Sequence, residues 1–196
     1  MAPVQRCATP FHTVFVCTGN RARSPLAAAL FTRYAAGIDA TASSVGVLDV
    51  TGAPALPDAV AAARRVGVEL SGHTSRSLRT ADLSQADLVL AFEPMHVSTA
   101  VIDAGADIGR TFLLGELASL LDVPPPDEDP CASARFVVSV ADSRRVRSRP
   151  DASRTIADPY GQPPRVMDEI ADEIDALVHA LVVGLFGRAA SAEPPA

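Results

Sequence analysis

A chain of 196 residues, 48% apolar, fits one domain with a sizeable core. Its net charge of −6, with all 17 basic residues arginine, argues against nucleic acid as a partner. No apolar run approaches the length of a membrane span, so a membrane is not an expected partner either.

The first predicted strand is 12–17, and the apolar run Thr13-Val14-Phe15-Val16 fills it. A helix follows over 24–36, with Ser24 suited to its N-cap and Pro25 to its first turn, and it stops near Gly37. The second strand is 40–46. Pro57 opens a helix through about Val66, where Gly67 ends it. A short helix or loop follows His73. Residues 87–92 form the third strand, 94–104 a helix, 111–114 a short fourth strand, and 167–186 an amphipathic final helix. Strands alternating with helices predict a parallel sheet covered on both faces.

Two stretches interrupt this alternation. The proline-rich acidic run 122–130 predicts a loop, and 131–147 an added helix with Phe136, Val137 and Val140 on its apolar side. Arg144, Arg145, Arg147, Arg149 and Arg154 then cluster, with Asp168, Glu169, Asp172, Glu173 and Asp175 of the last helix as candidate ion-pair partners. Residues 1–11 are an N-terminal extension and 188–196 a disordered tail. The extension lacks the apolar stretch of a signal peptide. Three cysteines at unrelated spacings make no disulfide framework. Cys7 and Cys131 are therefore expected as unreactive thiols in a reducing cytoplasm. The four histidines are too scattered to read as metal ligands, and no cofactor is expected.

The most informative stretch is Cys17-Thr18-Gly19-Asn20-Arg21-Ala22-Arg23-Ser24. It joins the first strand to the first helix, at the carboxyl end of a parallel sheet where ligands bind. Free N–H groups at the helix start and the helix dipole favour an anion there. A phosphate held in this loop would lie over Cys17. The helix N-terminus and Arg23 both favour the thiolate, and Arg23 can grip two phosphate oxygens in a fork that lysine could not form. The N–H groups from Thr18 to Ser24, with Gly19, Asn20, Arg21 and Ala22 between them, can cradle the remaining charge. Ser24 can donate to the sulfur, and Asn20 tolerates the left-handed backbone that such a loop needs. A leaving oxygen needs an acid, and Asp158, before Pro159 in a turn, is the candidate. Tyr160 is a candidate pocket wall.

On these residues the chain resembles the low-molecular-weight protein tyrosine phosphatases of bacterial type. Cys17, Gly19, Asn20, Arg23, Ser24 and Pro25 match their loop, whereas Ala22 stands where that family has a second cysteine. Ser44-Val45-Gly46, Gly72-His73-Thr74-Ser75-Arg76, Ala86-Asp87-Leu88-Val89-Leu90 with Met95-His96, and Asp158-Pro159-Tyr160 are similar to its later motifs. The resemblance implies a flavodoxin-like, Rossmann-like three-layer α/β fold with a four-stranded parallel sheet. It implies a phosphatase domain over 12–187, carrying a longer insert at about 122–154. It also implies hydrolysis of phosphate monoesters, expected to be phosphotyrosine in proteins, through a phosphocysteine intermediate. Cys17, Arg23 and Asp158 take the catalytic roles, and Asn20, Ser24, Ser44 and His73 form a supporting hydrogen-bond network.

Two other functions share this loop. A related arsenate reductase would need further cysteines near the third strand, and 92–98 holds none. A non-catalytic phosphate-binding module would not need Cys17, Arg23 and Asp158 together. At Arg21 the family has an aliphatic residue, or a threonine in members selective for phosphoarginine. Arginine there is expected to line the pocket mouth and attract acidic groups beside the phosphate, or else to point to solvent or pair with Asp49.

Overall fold

The computed structural model describes residues 6–122, 129–145 and 154–187. Strands β1 (Phe11–Cys17), β2 (Ala40–Gly46), β3 (Leu88–Ala91) and β4 (Thr111–Leu113) form one parallel sheet in the order β2-β1-β3-β4. The helices are α1 (Arg23–Tyr34), α2 (Pro57–Arg65), α3 (Pro94–Ala104), α4 (Leu114–Ala118), α5 (Pro130–Arg145) and α6 (Pro164–Phe186). Strand β1 shows why the sheet is buried on both sides. Phe11, Phe15 and Cys17 face one core and Val14 and Val16 the other, the two-residue period of a pleated strand. The larger core lies under α1, α2, α4, α5 and α6, where Phe11, Phe31 and Phe186 meet edge to face. The smaller one lies under α3.

Several boundaries differ from the sequence expectation. Helix α1 begins at Arg23 with Ala22 at its cap, and no side chain caps it. Ser24 is not the cap, because its hydroxyl is turned toward Cys17 and Asn20. The fourth strand stops at Leu113, where the Glu116 carboxylate accepts the Leu113 N–H and starts the short helix α4. Pro164 opens α6 three residues before the predicted start. On α5 the buried stripe is Cys131, Ala134, Val137, Val138 and Ala141. Phe136 is 46% exposed, since two residues from both Ala134 and Val138 place it on the opposite side of the helix.

Two further corrections concern cysteine and arginine. Cys7 and Cys131 are not free thiols but a disulfide, with Cα atoms 5.7 Å apart and 124 residues between them. The chain before β1 meets the start of α5, where Asp129 accepts the N–H groups of Ala8, Cys131 and Ala132. Those bonds hold the Asp129 carboxyl below its usual range. The described members of the arginine cluster serve other elements than α6. Arg144 pairs with Asp122, Arg145 with Asp142 and the carbonyls of Thr111 and Ile108, and Arg154 donates to the Glu116 carbonyl. Asp168 and Asp172 of α6 bind Arg65 instead, and Asp175 accepts from Tyr34. Arg147, Arg149 and the predicted tail 188–196 lie outside the described residues, as does most of the predicted loop 122–130. Among the described residues no helix is long and apolar enough to cross a membrane.

Candidate active site

The loop between β1 and α1 closes over the end of the sheet, and Asn20 ties it there. Asn20 is fully buried at φ 52°, the left-handed backbone that asparagine tolerates. Every polar group of this residue is used. Its Nδ2 donates to Ser24 Oγ (2.9 Å) and Ser44 Oγ (2.8 Å), and its Oδ1 accepts the Arg76 N–H (2.8 Å). Its N–H points at Cys17 Sγ (3.3 Å), and its carbonyl accepts from His73 Nε2 (2.7 Å). A carbonyl only accepts, so His73 carries its proton on Nε2. Burial lowers the His73 pKa, and the cation of Arg76 adds to this against the Asn20 bond. Gly46 explains why β2 can approach so closely: a Cβ there would stand 2.7 Å from Asn20 N.

Cys17 is the one free cysteine among the described residues and is 2% exposed. It forms the floor of a cleft of about 270 Å³. Ser24 Oγ lies 2.9 Å from its sulfur. Asn20 donates to Ser24 Oγ, so the hydroxyl proton can go to Sγ or to the more distant Val45 carbonyl (3.4 Å); turned to Sγ, it gives a thiolate there two donors. The N–H groups of Gly19, Arg21, Ala22, Arg23 and Ser24 have no acceptor among the described residues. They form a ring of donors at a helix N-terminus.

Arg23 is 1% exposed and organises the opposite wall. Its Nη1 donates to Glu93 Oε1 (2.6 Å) and to the Ile156 carbonyl (2.9 Å). Its Nη2 donates to Thr18 Oγ1 (2.9 Å) and contacts Asp158 Oδ2 (2.7 Å). This brings Asp158, 141 positions after Cys17, to the same cleft. The segment is fixed again by Ile156 N–H on the Phe92 carbonyl at the end of β3. Asp158 Oδ1 accepts the Tyr160 N–H (3.1 Å), which closes a turn. Tyr160 is 72% exposed at the rim, and Leu48, Val50 and Leu56 make apolar walls. Arg21 also lines the cleft. It does not pair with Asp49; its Nε donates to the Pro54 carbonyl (2.7 Å).

All the residues named from the sequence therefore meet here, Ser44 and His73 behind the loop and the others in or around the cleft. Glu93, Arg76 and His96 join them; Arg76 and His96 stood in the family-like motifs without a site role, and Glu93 was not singled out. His96 is fully buried with Nε2 3.1 Å from Thr18 Oγ1, and burial pushes its pKa down to about 4.

The comparisons with known proteins agree with this geometry. The sequence profile described as "Low molecular weight phosphotyrosine protein phosphatase" matches residues 12–142. The low molecular weight protein-tyrosine-phosphatase Etp of Escherichia coli (strain K12) is 33% identical over 111 residues, 57% of this chain and 74% of Etp. The crystal structure of a low molecular weight protein tyrosine phosphatase from T. tengcongensis has 29% identity and a TM-score of 0.66, covering 88% of this chain and 97% of that one. A mutant of the YwlE arginine phosphatase with a phosphorylated active-site serine has 26% identity and a TM-score of 0.64, over 88% of this chain and 93% of that one. With a cysteine-floored anion loop, this sheet order and a profile match across most of its length, the chain belongs to the low-molecular-weight phosphotyrosine protein phosphatase family.

Proposed function

We propose that this phosphatase hydrolyses phosphotyrosine in proteins by two displacements at phosphorus. The observation that carries the reading is the placement of Cys17 on the cleft floor with Asp158 held across the same cleft by Arg23. In the first step the Cys17 thiolate attacks phosphorus. The S–P bond forms as the bond to the tyrosyl oxygen breaks, and that oxygen takes the proton of Asp158. In the second, water attacks phosphorus, Asp158 accepts its proton, and the S–P bond breaks. The donors from Ser24 and Asn20 stabilise the departing thiolate. The phosphorylated serine of the YwlE mutant supports such a phosphoenzyme step.

Arg23 Nε has no partner among the described residues, and Arg23 Nη2 holds Asp158. An incoming phosphate takes the first site and displaces Asp158 from the second. Binding thus frees the Asp158 carboxylate to face the leaving oxygen, and the proton it delivers there is one it takes up from solvent once Arg23 has let it go. Glu93 and the Ile156 carbonyl keep the guanidinium in plane throughout. The catalytic unit spans 12–187 on this reading, with the stretch 122–154 as an addition to it.

The walls Leu48, Val50 and Leu56 and the exposed ring of Tyr160 suit a flat aryl group. Arg21 has no ion pair among the described residues. Its cation repels a phosphorylated guanidinium and attracts acidic residues beside the phosphotyrosine. The test compares kcat/KM on phosphotyrosine peptides with acidic and neutral flanks, a phosphoarginine peptide and a phosphoserine peptide. The expected order is acidic phosphotyrosine, neutral phosphotyrosine, then the other two. Cys17→Ser should bind inorganic phosphate without turnover. Faster cleavage of phosphoarginine would refute the substrate assignment, and turnover by Cys17→Ser would refute the nucleophile.

A further inference from the structure

We propose that the Thr18 hydroxyl donates to the phosphate bound over Cys17, and that His96 is the positioning residue that aims it. The proposal rests on the phosphatase reading above and adds a donor from a side chain to those of the loop backbone.

The argument is one of valence. Thr18 Oγ1 has two neighbours, Arg23 Nη2 at 2.9 Å and His96 Nε2 at 3.1 Å. A guanidinium only donates, so one lone pair of Oγ1 is filled by Arg23. The second contact depends on the tautomer of His96. Its Nδ1 is buried and has no hydrogen-bond partner among the described residues. An unmet N–H in such a place is rarer and more costly than an unmet lone pair. The proton therefore sits on Nε2, which has to donate to Thr18 Oγ1. A doubly protonated ring is disfavoured as well. Burial holds the pKa of His96 near 4, and the Arg23 cation adds to that, while Glu93, 3.9 Å away, and Asp158 oppose it.

With both lone pairs filled, the hydroxyl proton has one direction left. No acceptor for it occurs among the described residues, and Thr18 lines the cleft. A phosphate oxygen is the acceptor that completes the set. Such a donor is fixed before substrate arrives and needs no rearrangement when charge develops on the transferring group.

The test uses the whole chain and an aryl phosphate, with inorganic phosphate as the binding probe. Thr18→Val should lower kcat/KM about tenfold, the worth of one hydrogen bond to a charged group, and weaken inhibition by inorganic phosphate. Thr18→Ser should stay close to wild type. His96→Leu should fall as Thr18→Val does, yet add nothing in the Thr18→Val background. His96→Gln, which can present an N–H near the same place, should restore most of the loss. Wild-type kcat/KM in Thr18→Val, or a full additional loss from His96→Leu on top of it, overturns the proposal. The nitrogen NMR spectrum of the wild-type protein gives a readout independent of folding effects. It should show His96 protonated at Nε2 alone between pH 6 and 8, and a proton on Nδ1 overturns the assignment. Absence of turnover by the wild type would refute the phosphatase reading itself, whereas turnover indifferent to Thr18 refutes only this step.

Discussion

Arg23 holds four groups at once, Thr18 of its own loop and Glu93, Ile156 and Asp158 from two distant parts of the chain. These partners meet the N–H groups of Nη1 and Nη2, as burial of a guanidinium requires, and on the proposed mechanism Nε is left for the phosphate. Its contact with Asp158 gives the proposed acid role an alternative to be tested against. Asp158→Asn should cut kcat/KM roughly a hundredfold for a leaving group as basic as tyrosine, and much less for para-nitrophenolate, which leaves without a proton. A plot of log kcat/KM against leaving-group pKa should be steeper in Asp158→Asn than in wild type. Parallel lines would mean that Asp158 only holds Arg23. The residues that line the cleft were largely legible in the sequence because Cys17 to Ser24 form a contiguous loop, and Asp-Pro announces a turn. The site contacts of Glu93, His96 and Arg76 were not, although His96 and Arg76 stood in matched motifs. Their roles depend on β1 lying between β2 and β3, which local spacing does not encode. The reading of Ser24 as a helix cap failed for a related reason: the same hydroxyl is needed by Cys17 and Asn20.

Among the elements, hydrophobic periodicity located all four strands and the long helices, since each buries a face of period 2 or 3.6 against the same sheet. It missed α4, whose five residues are too few for a period, and misassigned Phe136 on α5. Cysteine counting failed more instructively. An odd number at unrelated spacings hid the pair Cys7 and Cys131, because only the fold brings the chain before β1 against the start of α5. Oxidised protein, once denatured, should show one titratable thiol, and reduced protein three. Closing so long a loop contributes about 2–4 kcal/mol, so reduction or Cys7→Ser should lower the melting midpoint by roughly 5–15 °C. An unchanged midpoint would show that the bond does not hold α5 in place. The same bond lies at the far end of β1 from Cys17, about 20 Å along a seven-residue strand. Neither partner can reach an oxidised Cys17, and Ala22 offers no thiol. Prolonged peroxide should therefore carry Cys17 past sulfenic acid, and a thiol reductant should not restore activity.

At the scale of the whole molecule, the response to acid sets two effects against each other. Lowering the pH from 8 to 5 discharges a chain of net charge −6 and relieves self-repulsion, which by itself stabilises the fold. The buried histidines act in the opposite sense. Burial lowers the pKa of His12 and His73, and takes that of His96 to about 4. Each then binds a proton in the unfolded chain near pH 6.5 but not in the folded one. Stability is therefore full above pH 6.5 and falls as the pH drops toward the folded values. For His96 alone the loss at pH 5, relative to pH 8, is about 2 kcal/mol, or roughly 4–8 °C in melting midpoint for a domain of this size. Carboxylates held low, such as Asp129, and Glu69 at about 2, lose their contribution mainly below their unfolded values of about 4–4.5 and leave most of this window to the histidines. Surface repulsion at moderate salt is screened within about 10 Å, so the histidine effect should win and the midpoint should fall between pH 8 and pH 5. Melting curves across that range check it, and His96→Leu should flatten the profile. A midpoint that rises toward pH 5, or a slope unchanged by His96→Leu, would place His96 in contact with water and remove the basis for its fixed tautomer.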